Sequence, residues 1–372
     1  MTQLQYYLAM VIGGLCLLAL AMPFGSSGAA MVTPWNFPAL GIFLGLTFLA
    51  LLAFRTRIHP GLVGLLAVCG GIVLLFGLDR IDSAGPGFWL TLLAAWGLAW
   101  LFAERLSQYV RENRIEGDVA GLLIPLMFGA AVLLVWEAGT RGGGVPFVIL
   151  PPPSAIWARI IANIPVLAAD FQQTFIKSVL IGYALGCGLG FVVAIAIDRS
   201  NFLKRGLLPL GSFVSALPMV GIAPIMVMWF GFDWPSKAAV VVIMTFFPML
   251  VNTVAGLAAS GSMERDMMRT YAASYWQTLF KLRLPAAAPF IFNALKINST
   301  LALIGAIVAE FFGTPVVGMG FRISTEVGRL NVDMVWAEIA VAAIAGSAFY
   351  GVVALIERAV TFWHPSVRGG RA

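Results

Sequence analysis

The chain has 372 residues, of which 60% are hydrophobic and only 11% are charged, and its mean hydropathy is +0.93. Soluble domains carry about 25% charged residues, so this composition excludes a soluble protein and indicates one that lies in a membrane. The net charge of +6 would suggest nucleic-acid binding in a soluble protein, but in a membrane protein it reflects cations on one side of the bilayer. We therefore expect contact with membrane lipid and no nucleic-acid partner.

Apolar runs of about 17–25 residues are long enough to cross a hydrocarbon core of ~30 Å as helices. Ten such runs follow one another, so we predict an all-α polytopic membrane protein with about ten transmembrane helices. Pro209, Pro218 and Pro224 interrupt the seventh run, which is expected to be bent or partly unwound. The predicted spans are 6–24, 38–54, 61–78, 87–103, 119–138, 171–197, 207–231, 237–258, 288–312 and 334–357.

The Lys and Arg residues indicate the orientation of these spans. With the N-terminus in the cytoplasm, fifteen of them fall in cytoplasmic segments and six in outward loops. Retained cations mark the cytoplasmic side, so both termini and the loop 259–287 are predicted to lie in the cytoplasm. A cleaved signal peptide is the alternative for the first span, because 26–30 are small residues, but residues 1–7 lack the basic segment of such peptides.

Residues 104–118 are the most charge-dense stretch of the chain and separate four predicted spans from six. We predict a four-helix N-terminal transmembrane extension at 1–103, a charged cytoplasmic linker at 104–118 and a six-helix domain at 119–372. The linker is open to interpretation as a hinge, an interfacial amphipathic helix or a solvated loop. Three interpretations of the extension stay open. It supports the lipid-facing side of the six-helix domain, it binds a further membrane partner, or it is an addition without a function of its own.

The loop 259–287 carries Ala272-Ala273-Ser274, then Trp276-Gln277, then Leu284-Pro285. With the features around it, residues 119–372 resemble the permeases of ABC-type importers, and in particular their nitrate/sulfonate/taurine-type branch. The other features that carry the resemblance are, in order, Trp136-Glu137, Leu150-Pro151-Pro152-Pro153-Ser154, Gly182 with Gly186 and Gly190, Leu217-Pro218, Trp229-Phe230-Gly231, Ala309-Glu310 with Gly318 and Gly320, Glu357-Arg358 and Trp363.

This resemblance implies that the last six spans form a type I ABC importer permease core in a bacterial inner membrane. The expected partners are two cytoplasmic ABC ATPase subunits, a second permease subunit (identical or a sister chain) and an extracytoplasmic solute-binding protein. That protein would dock on the outward loops 139–170 and 313–333. The expected solute is a small oxoanion, an organosulfonate or a pyrimidine-like compound. No cofactor is expected in this chain, because the partner subunit uses the ATP.

The resemblance also implies that the loop forms a short helix that docks into a cleft on the ATPase. Small residues let a partner groove close tightly, Trp276 is of the type that most often anchors interfaces, and Pro285 is suited to stopping the short helix. Arg269, Lys281 and Arg283 are placed to pair with acidic groups on the partner or with anionic lipid. The implied contact and shaping residues are Arg269, Ala272, Ala273, Ser274, Trp276, Gln277 and Pro285.

Ala272 departs from the pattern, since the family usually has Gly there and Ala or Leu where Tyr271 stands. Alanine accepts a helical conformation, but it adopts a positive φ only at a cost. A slightly different turn or a specialised partner is therefore an alternative. For the motif as a whole, the simpler alternative is a solvated amphipathic loop.

Polar side chains within the spans indicate a possible translocation path, because such groups usually face the bundle interior or a water-filled cavity. On the ninth span, four polar residues fall within roughly a 100° arc at 3.6 residues per turn: Asn293, Lys296, Thr300 and Glu310. Lys296 is interpreted as attracting an anionic substrate, pairing with Glu310 or snorkelling to the cytoplasmic interface. Glu310 is expected to be a structural or gate residue rather than a ligand. The candidate path residues are Asn252, Asn293, Lys296, Thr300 and Glu310.

No nucleophile–base set, paired-carboxylate site, HExxH or GxxxxGK[ST] motif occurs in the sequence. The chain is therefore not expected to be an enzyme, and ATP hydrolysis is assigned to a separate subunit. The three Cys residues and the two His residues are isolated, so neither a disulfide nor a metal site is expected.

An ion-coupled secondary transporter is the main alternative, and a membrane-embedded enzyme the next. A secondary transporter predicts repeated halves and buried ion-coupling carboxylates, and the sequence contains no convincing repeat. Gly182, Gly186 and Gly190 recur every four residues, which predicts a close approach between helices rather than chemistry.

Overall fold

In a computed structural model of the protein, residues 2–28, 30–53, 58–112, 117–200, 202–207, 209, 218–313 and 316–363 are described. The chain divides into two compact units, Met1–Trp157 and Ala158–Ala372. This boundary in packing differs from the division predicted at residues 104–118. The assignment of 119–372 as one functional domain stays a prediction.

The helices of the unit Met1–Trp157 begin at recognisable start signals. Thr2 and Gln5 form a capping box at the first helix, and Pro60 and Pro86 occupy first-turn positions, where a missing N–H leaves no bond unmade. The helices are α1 (Gln3–Ala21), α2 (Pro38–Ala53), α3 (Pro60–Leu78), α4 (Pro86–Arg111), α5 (Gly117–Gly142) and α6 (Pro153–Ala162), the last of which contains the boundary between the units.

An apolar cluster runs through this unit. Helix α1 packs against α2 and α4, and α3 and α5 pack against α4. Phe24 and Phe88 are fully buried, with ring centroids 5.3 Å apart. Helix α5, the first of the six predicted permease spans, therefore packs against helices of the N-terminal extension. Because α4 continues to Arg111, residues 104–111 of the predicted linker are helical, and residues 113–116 of it lie outside the described part.

Polar contacts in this unit lie towards the ends of its helices. The guanidinium of Arg105 is buried and donates to the carbonyl of Ile58 over 2.7 Å and 3.0 Å. Arg141 pairs with Asp79 at 2.6 Å, which joins the end of α5 to the end of α3. These contacts satisfy charged groups while leaving the middle of the helices to apolar packing.

The first unit also contains a small antiparallel sheet, which was not predicted. Its strands are β1 (Gly25–Ser27), β2 (Ala30–Val32) and β3 (Ser83–Ala84), in the order β2-β1-β3. Gly25 lies opposite Val32 in one pair and opposite Ala84 in the other. Strands of two or three residues are too short to show the alternation that identifies a strand in a sequence.

The unit Ala158–Ala372 contains the remaining described helices and two π-helical segments, Gln172–Val179 and Leu279–Arg283. Asp233 caps the fourth of these helices by accepting from the backbone N–H of Trp234. The helices are α7 (Ile164–Phe171), α8 (Leu180–Arg199), α9 (Met219–Phe230), α10 (Trp234–Ala258), α11 (Ser262–Thr270), α12 (Tyr275–Thr278), α13 (Leu284–Glu310), α14 (Met319–Gly328) and α15 (Val332–Val360).

Helix α10 lies at the centre of this unit, packed against α8 and α13. Gly182, Gly186 and Gly190 of α8 allow its close approach, because a Cβ at each of these three would meet the backbone of α10. The predicted close helix contact is thus confirmed. An added Cβ would lie 2.7 Å from the Ala238 carbonyl at Gly182, 2.9 Å from the Val242 carbonyl at Gly186 and 2.5 Å from the Phe246 carbonyl at Gly190.

The prediction of an all-α polytopic membrane protein is confirmed. Among the described residues, eight helices are long and apolar enough to cross a membrane. Two shorter apolar helices, Pro38–Ala53 and Val220–Phe230, lie at the predicted second and seventh spans. In the seventh, the helix begins after Pro218 and contains Pro224, while 208 and 210–217 lie outside the described residues.

Candidate functional site

The loop 259–287 is built from two short helices joined by a tight turn. Helix α11 ends at Thr270, and the N–H groups of Ala272 and Ala273 donate back to the carbonyls of Arg269 and Met268. This double bonding pattern is that of a Schellman motif, in which the residue after the helix cap takes a left-handed conformation. The loop therefore has a defined fold, and its contact with a partner stays a prediction.

Ala272 occupies the left-handed position of this turn, with φ +49°. Glycine adopts that conformation without cost, whereas an L-residue with a Cβ loses roughly 1–2 kcal/mol there. The turn keeps a backbone geometry suited to Gly although the sequence has Ala. The alternative of a different turn is therefore not what the structure contains.

A capping box starts the second helix. The Ser274 hydroxyl accepts from the N–H of Gln277 at 3.3 Å, and the Gln277 side chain accepts from the N–H of Ser274 at 2.8 Å. These reciprocal bonds satisfy two N–H groups that would otherwise lack partners. Ser274 and Gln277 thus shape the loop.

Pro285 does not stop the short helix, which corrects one of our expectations. Helix α12, the π-helical segment Leu279–Arg283 and α13 follow one another without a break. Pro285 lies in the first turn of α13. The missing N–H of Pro285 removes one backbone hydrogen bond from this continuous helix, but the chain stays helical through the ring.

Three aromatic side chains of the loop are exposed. Tyr271 is 79% exposed, Trp276 49% and Phe280 62%. The rings of Trp276 and Phe280 stack with centroids 5.9 Å apart. Rigid aromatic surface presented in this way is typical of interface anchors.

Arg269 and Arg283 of the loop are used differently. Arg269 and its partner Asp266 are both highly exposed, with 3.3 Å between Nη1 and Oδ1. A surface ion pair of this kind contributes little to the stability of the protein. Arg283 instead makes a bidentate pair with Asp198 at 2.6 Å and 2.7 Å, and both side chains are largely buried. Its expected pairing with an external acidic group or lipid is therefore replaced by a contact inside the chain.

The candidate path residues are not brought together at one place. The Nζ of Lys296 lies 2.7 Å from Oε2 of Glu357 on α15, so its cationic group is paired there and not with Glu310. Asn293 and Thr300 are exposed on α13. Asn252 donates to the carbonyl of Pro248 on its own helix. Whether any of the five residues touches solute stays a prediction.

Glu310 caps a neighbouring helix. Its buried carboxylate accepts from the Thr174 hydroxyl at 2.8 Å and from the N–H of Gly320 at 2.7 Å. The same Thr174 oxygen accepts from the N–H of Met319. The first N–H groups of α14 are thus paired with side chains from the segment Gln172–Val179 and from α13. This arrangement favours the structural interpretation of Glu310.

Asp170 completes this cap. It accepts from the N–H of Gly318 at 2.6 Å and from Nε of Arg322 at 2.8 Å. The hydrogen bond from Arg322 raises the pKa of that guanidinium above its usual value. Buried carboxylates that each receive several donors hold α14 in a defined position.

Sequence reasoning missed three residues of these contacts, Asp170, Thr174 and Asp198, and it named Glu357 without its pairing to Lys296. For Asp198 a signal existed, since a carboxylate in the last turn of a helix opposes the helix dipole and implies a nearby cation. Thr174 gave no signal, because its partners Glu310 and Met319 are more than 130 residues away in sequence. In the described part of the chain, no group of three or more His, Cys, Asp or Glu residues is arranged to hold a metal.

Comparison with known proteins identifies the family. Residues 186–362 match the model of the binding-protein-dependent transport system inner membrane component. A probable ABC transporter permease protein of Haemophilus influenzae is 30% identical over 218 residues, which cover 59% of this chain and 88% of the relative.

Two further relatives are similar over comparable lengths. The formylaminopyrimidine transport permease protein ThiX of Halalkalibacterium halodurans is 29% identical over 65% of this chain and 96% of its own. The riboflavin transport system permease protein RibX of Chloroflexus aurantiacus is 28% identical over 70% and 97%.

Together with the multispan helical fold, these matches confirm the resemblance seen in the sequence and leave no observation in favour of a secondary transporter. The chain belongs to the family of binding-protein-dependent transport system inner membrane components, and it is the permease subunit of an ABC-type importer of small solutes.

Proposed function

We propose that the loop 259–287 is the segment through which a separate cytoplasmic ATPase drives this permease. The observation that carries the proposal is the two-sided build of the loop. Trp276 and Phe280 form an exposed stack on one side, while Leu279 is fully buried on the other. A cleft on a partner can bind the exposed aromatic side chains of such a segment while its buried side keeps the segment folded.

The assembly proposed around this chain has two ATPase subunits, a second permease subunit and an extracytoplasmic binding protein. The cation bias of the loops supports cytoplasmic termini and a cytoplasmic position for 259–287. Multi-pass permeases of bacterial relatives support a bacterial inner membrane. On this orientation the loops 139–170 and 313–333 face outward and receive the binding protein.

The solute is proposed to belong to the chemical range carried by the relatives. Their names include formylaminopyrimidine, aliphatic sulfonates and taurine. The cation of Lys296 is paired with Glu357, so this chain offers no argument for an anion over a neutral heterocycle. Selection of the solute is assigned to the binding protein.

The test is affinity purification of the protein from its native membranes in mild detergent, followed by mass spectrometry. A P-loop ATPase is expected to copurify, and Ala273→Glu and Trp276→Ala are expected to release it. Trp35→Ala is the matched control, because Trp35 is 84% exposed and lies in a segment predicted to face outward. It should leave the ATPase bound.

The proposal fails if no ATPase accompanies the folded wild-type protein. It also fails if Trp276→Ala and Trp35→Ala retain the ATPase equally. Once the complex is in hand, its binding protein can be screened by calorimetry against taurine, methanesulfonate, bicarbonate and an aminopyrimidine. Binding of none of these would remove the proposed solute range while leaving the role of the loop intact.

A further inference from the structure

A single carboxylate fastens both ends of the segment Tyr275–Arg283. At its start, the hydroxyl of Tyr275 donates to Asp198 at 3.0 Å. At its end, the two Nη groups of Arg283 donate to the same carboxylate at 2.6 Å and 2.7 Å. Asp198 comes from the last turn of α8, 85 residues away from Arg283.

The contacts of Asp198 with Tyr275 and Arg283, called the clamp below, also involve a second helix. The Nε of Arg283 donates to the backbone carbonyl of Leu257 at 3.0 Å, in the last turn of α10. A guanidinium satisfies the unpaired carbonyls and the negative dipole of a helix end. Arg283 therefore joins the ends of α8 and α10 to the segment that follows α12.

The position of Asp198 is electrostatically unfavourable without this partner. A carboxylate at a helix C-terminus meets the negative end of the dipole, and the Asp198 side chain is only 14% exposed. Burying such a charge is costly unless it is paired and hydrogen-bonded. Here the carboxylate accepts three donors, which offset that cost.

Apolar packing lies directly beneath the clamp. Leu257, Leu279 and Ala287 are fully buried together, with Tyr275 and Leu284 partly buried against them. The segment thus has an anchored side, carrying Tyr275, Leu279 and Arg283, while Trp276 and Phe280 are exposed.

We propose that Asp198 is a positioning residue that makes the coupling segment Tyr275–Arg283 move as one body with the ends of α8 and α10. The inference rests on the proposed docking of an ATPase at Trp276. A displacement applied to the exposed aromatics then shifts α8 and α10 instead of bending the loop. The clamp determines how much of the movement of the ATPase is transmitted to the membrane-spanning helices. It is separate from the surface that binds the ATPase.

The test uses the complete transporter in proteoliposomes and measures solute transported per ATP hydrolysed. Asp198→Asn keeps the size of the side chain but removes its charge. We expect ATPase copurification to change by less than about twofold and the ratio of transport to hydrolysis to fall by about tenfold, a typical size for a lost coupling between two sites. The exposed Asp82, in a segment predicted to face outward, provides the matched control, since Asp82→Asn should leave both quantities unchanged.

Two more variants guard against a folding defect. Tyr275→Phe removes only the hydroxyl that reaches Asp198, so the ratio should fall by a smaller factor, about twofold to threefold. The charge swap Asp198→Arg with Arg283→Asp rebuilds the pair in reverse and should recover part of the ratio lost in Asp198→Asn.

An unchanged ratio in Asp198→Asn overturns the inference and leaves the proposed function standing. Loss of the bound ATPase in Asp198→Asn, with no recovery in the charge swap, also overturns it, because Asp198 would then be needed for the fold of the docking surface. Absence of an ATPase from the wild-type complex overturns the proposed function, and this inference with it.

Discussion

The two units are stabilised by different kinds of contact. In Met1–Trp157 an apolar cluster runs through α1 to α5, and the charged contacts lie near helix ends, as at Arg105. In Ala158–Ala372 the apolar clusters are smaller, and polar side chains join one helix to another. The interhelical polar contacts of that unit include Asp198–Arg283, Lys296–Glu357 and Thr174–Glu310.

This difference separates a region stabilised mainly by apolar packing from one in which buried polar contacts between helices are more frequent. Apolar burial is non-directional and tolerates small shifts. A buried polar contact is directional and costs free energy when it is imperfect, so it restricts helices to particular positions. The second unit contains the loop and the candidate path, and its directional contacts are where substitutions should change transport as well as stability.

The largest effect on stability is expected from an apolar truncation in the first unit. Phe88 is fully buried against Phe24 and Trp89, so Phe88→Ala should lower the free energy of unfolding by about 3–5 kcal/mol. Denaturant titration in detergent, followed by circular dichroism, measures the loss. Transport per folded molecule should stay at the wild-type rate, and a matching drop in that rate would break the comparison.

A control for that change is Leu93→Ala on the same helix. Leu93 is 55% exposed, so its truncation should cost well under 1 kcal/mol, since little area buried by the protein is lost.

The next prediction concerns the contact of α8 with α10 at Gly182, Gly186 and Gly190. Gly186→Leu places a side chain against the backbone of α10 and should cost about 2 kcal/mol or more through overpacking. Gly188→Leu is a matched control, because a Cβ at Gly188 meets no atom within 4 Å. Thermal unfolding of the two variants should separate them clearly. Equal melting temperatures would show that α8 and α10 do not pack this closely.

The pair Lys296–Glu357 tests the path interpretation. Both side chains are at most 20% exposed, so Lys296→Met alone should destabilise the protein by about 1–3 kcal/mol by leaving Glu357 unpaired. The double variant Lys296→Met with Glu357→Gln should regain about 1–2 kcal/mol of this, measured as a double-mutant cycle. Transport should return with stability. Transport that stays lost in a stable double variant would assign Lys296 to the solute path.

The smallest effect is expected at the turn of the loop. Ala272→Gly relieves the positive φ and should raise stability by about 0.5–1 kcal/mol. Ala273→Gly, at a residue without a positive φ, should lower it slightly through chain entropy. Differential scanning calorimetry of the two variants measures the contrast. A loss in Ala272→Gly would mean that its left-handed turn is not populated.

Much of the loop was predictable, because its contacts are local. The bonds of Ser274 with Gln277 span three residues, and a short motif can indicate them. The position of Pro285 was misread as a stop, since nothing in the residue types indicated a π-helical segment before it. The partners of Glu310 and Arg283 come from distant parts of the chain, and no alternation or spacing relates them.

The sequence by itself determined that this is a multispan helical membrane protein, where its spans lie and which family its loop resembles. Those properties follow from composition, run length and local motifs, each of which acts within a few turns of helix. Only the tertiary structure decided that α5 packs with the N-terminal helices, that Lys296 pairs with Glu357 and that Asp198 receives both ends of the loop segment. Such contacts depend on which helices meet in space, and neither the length of an apolar run nor a local motif specifies that.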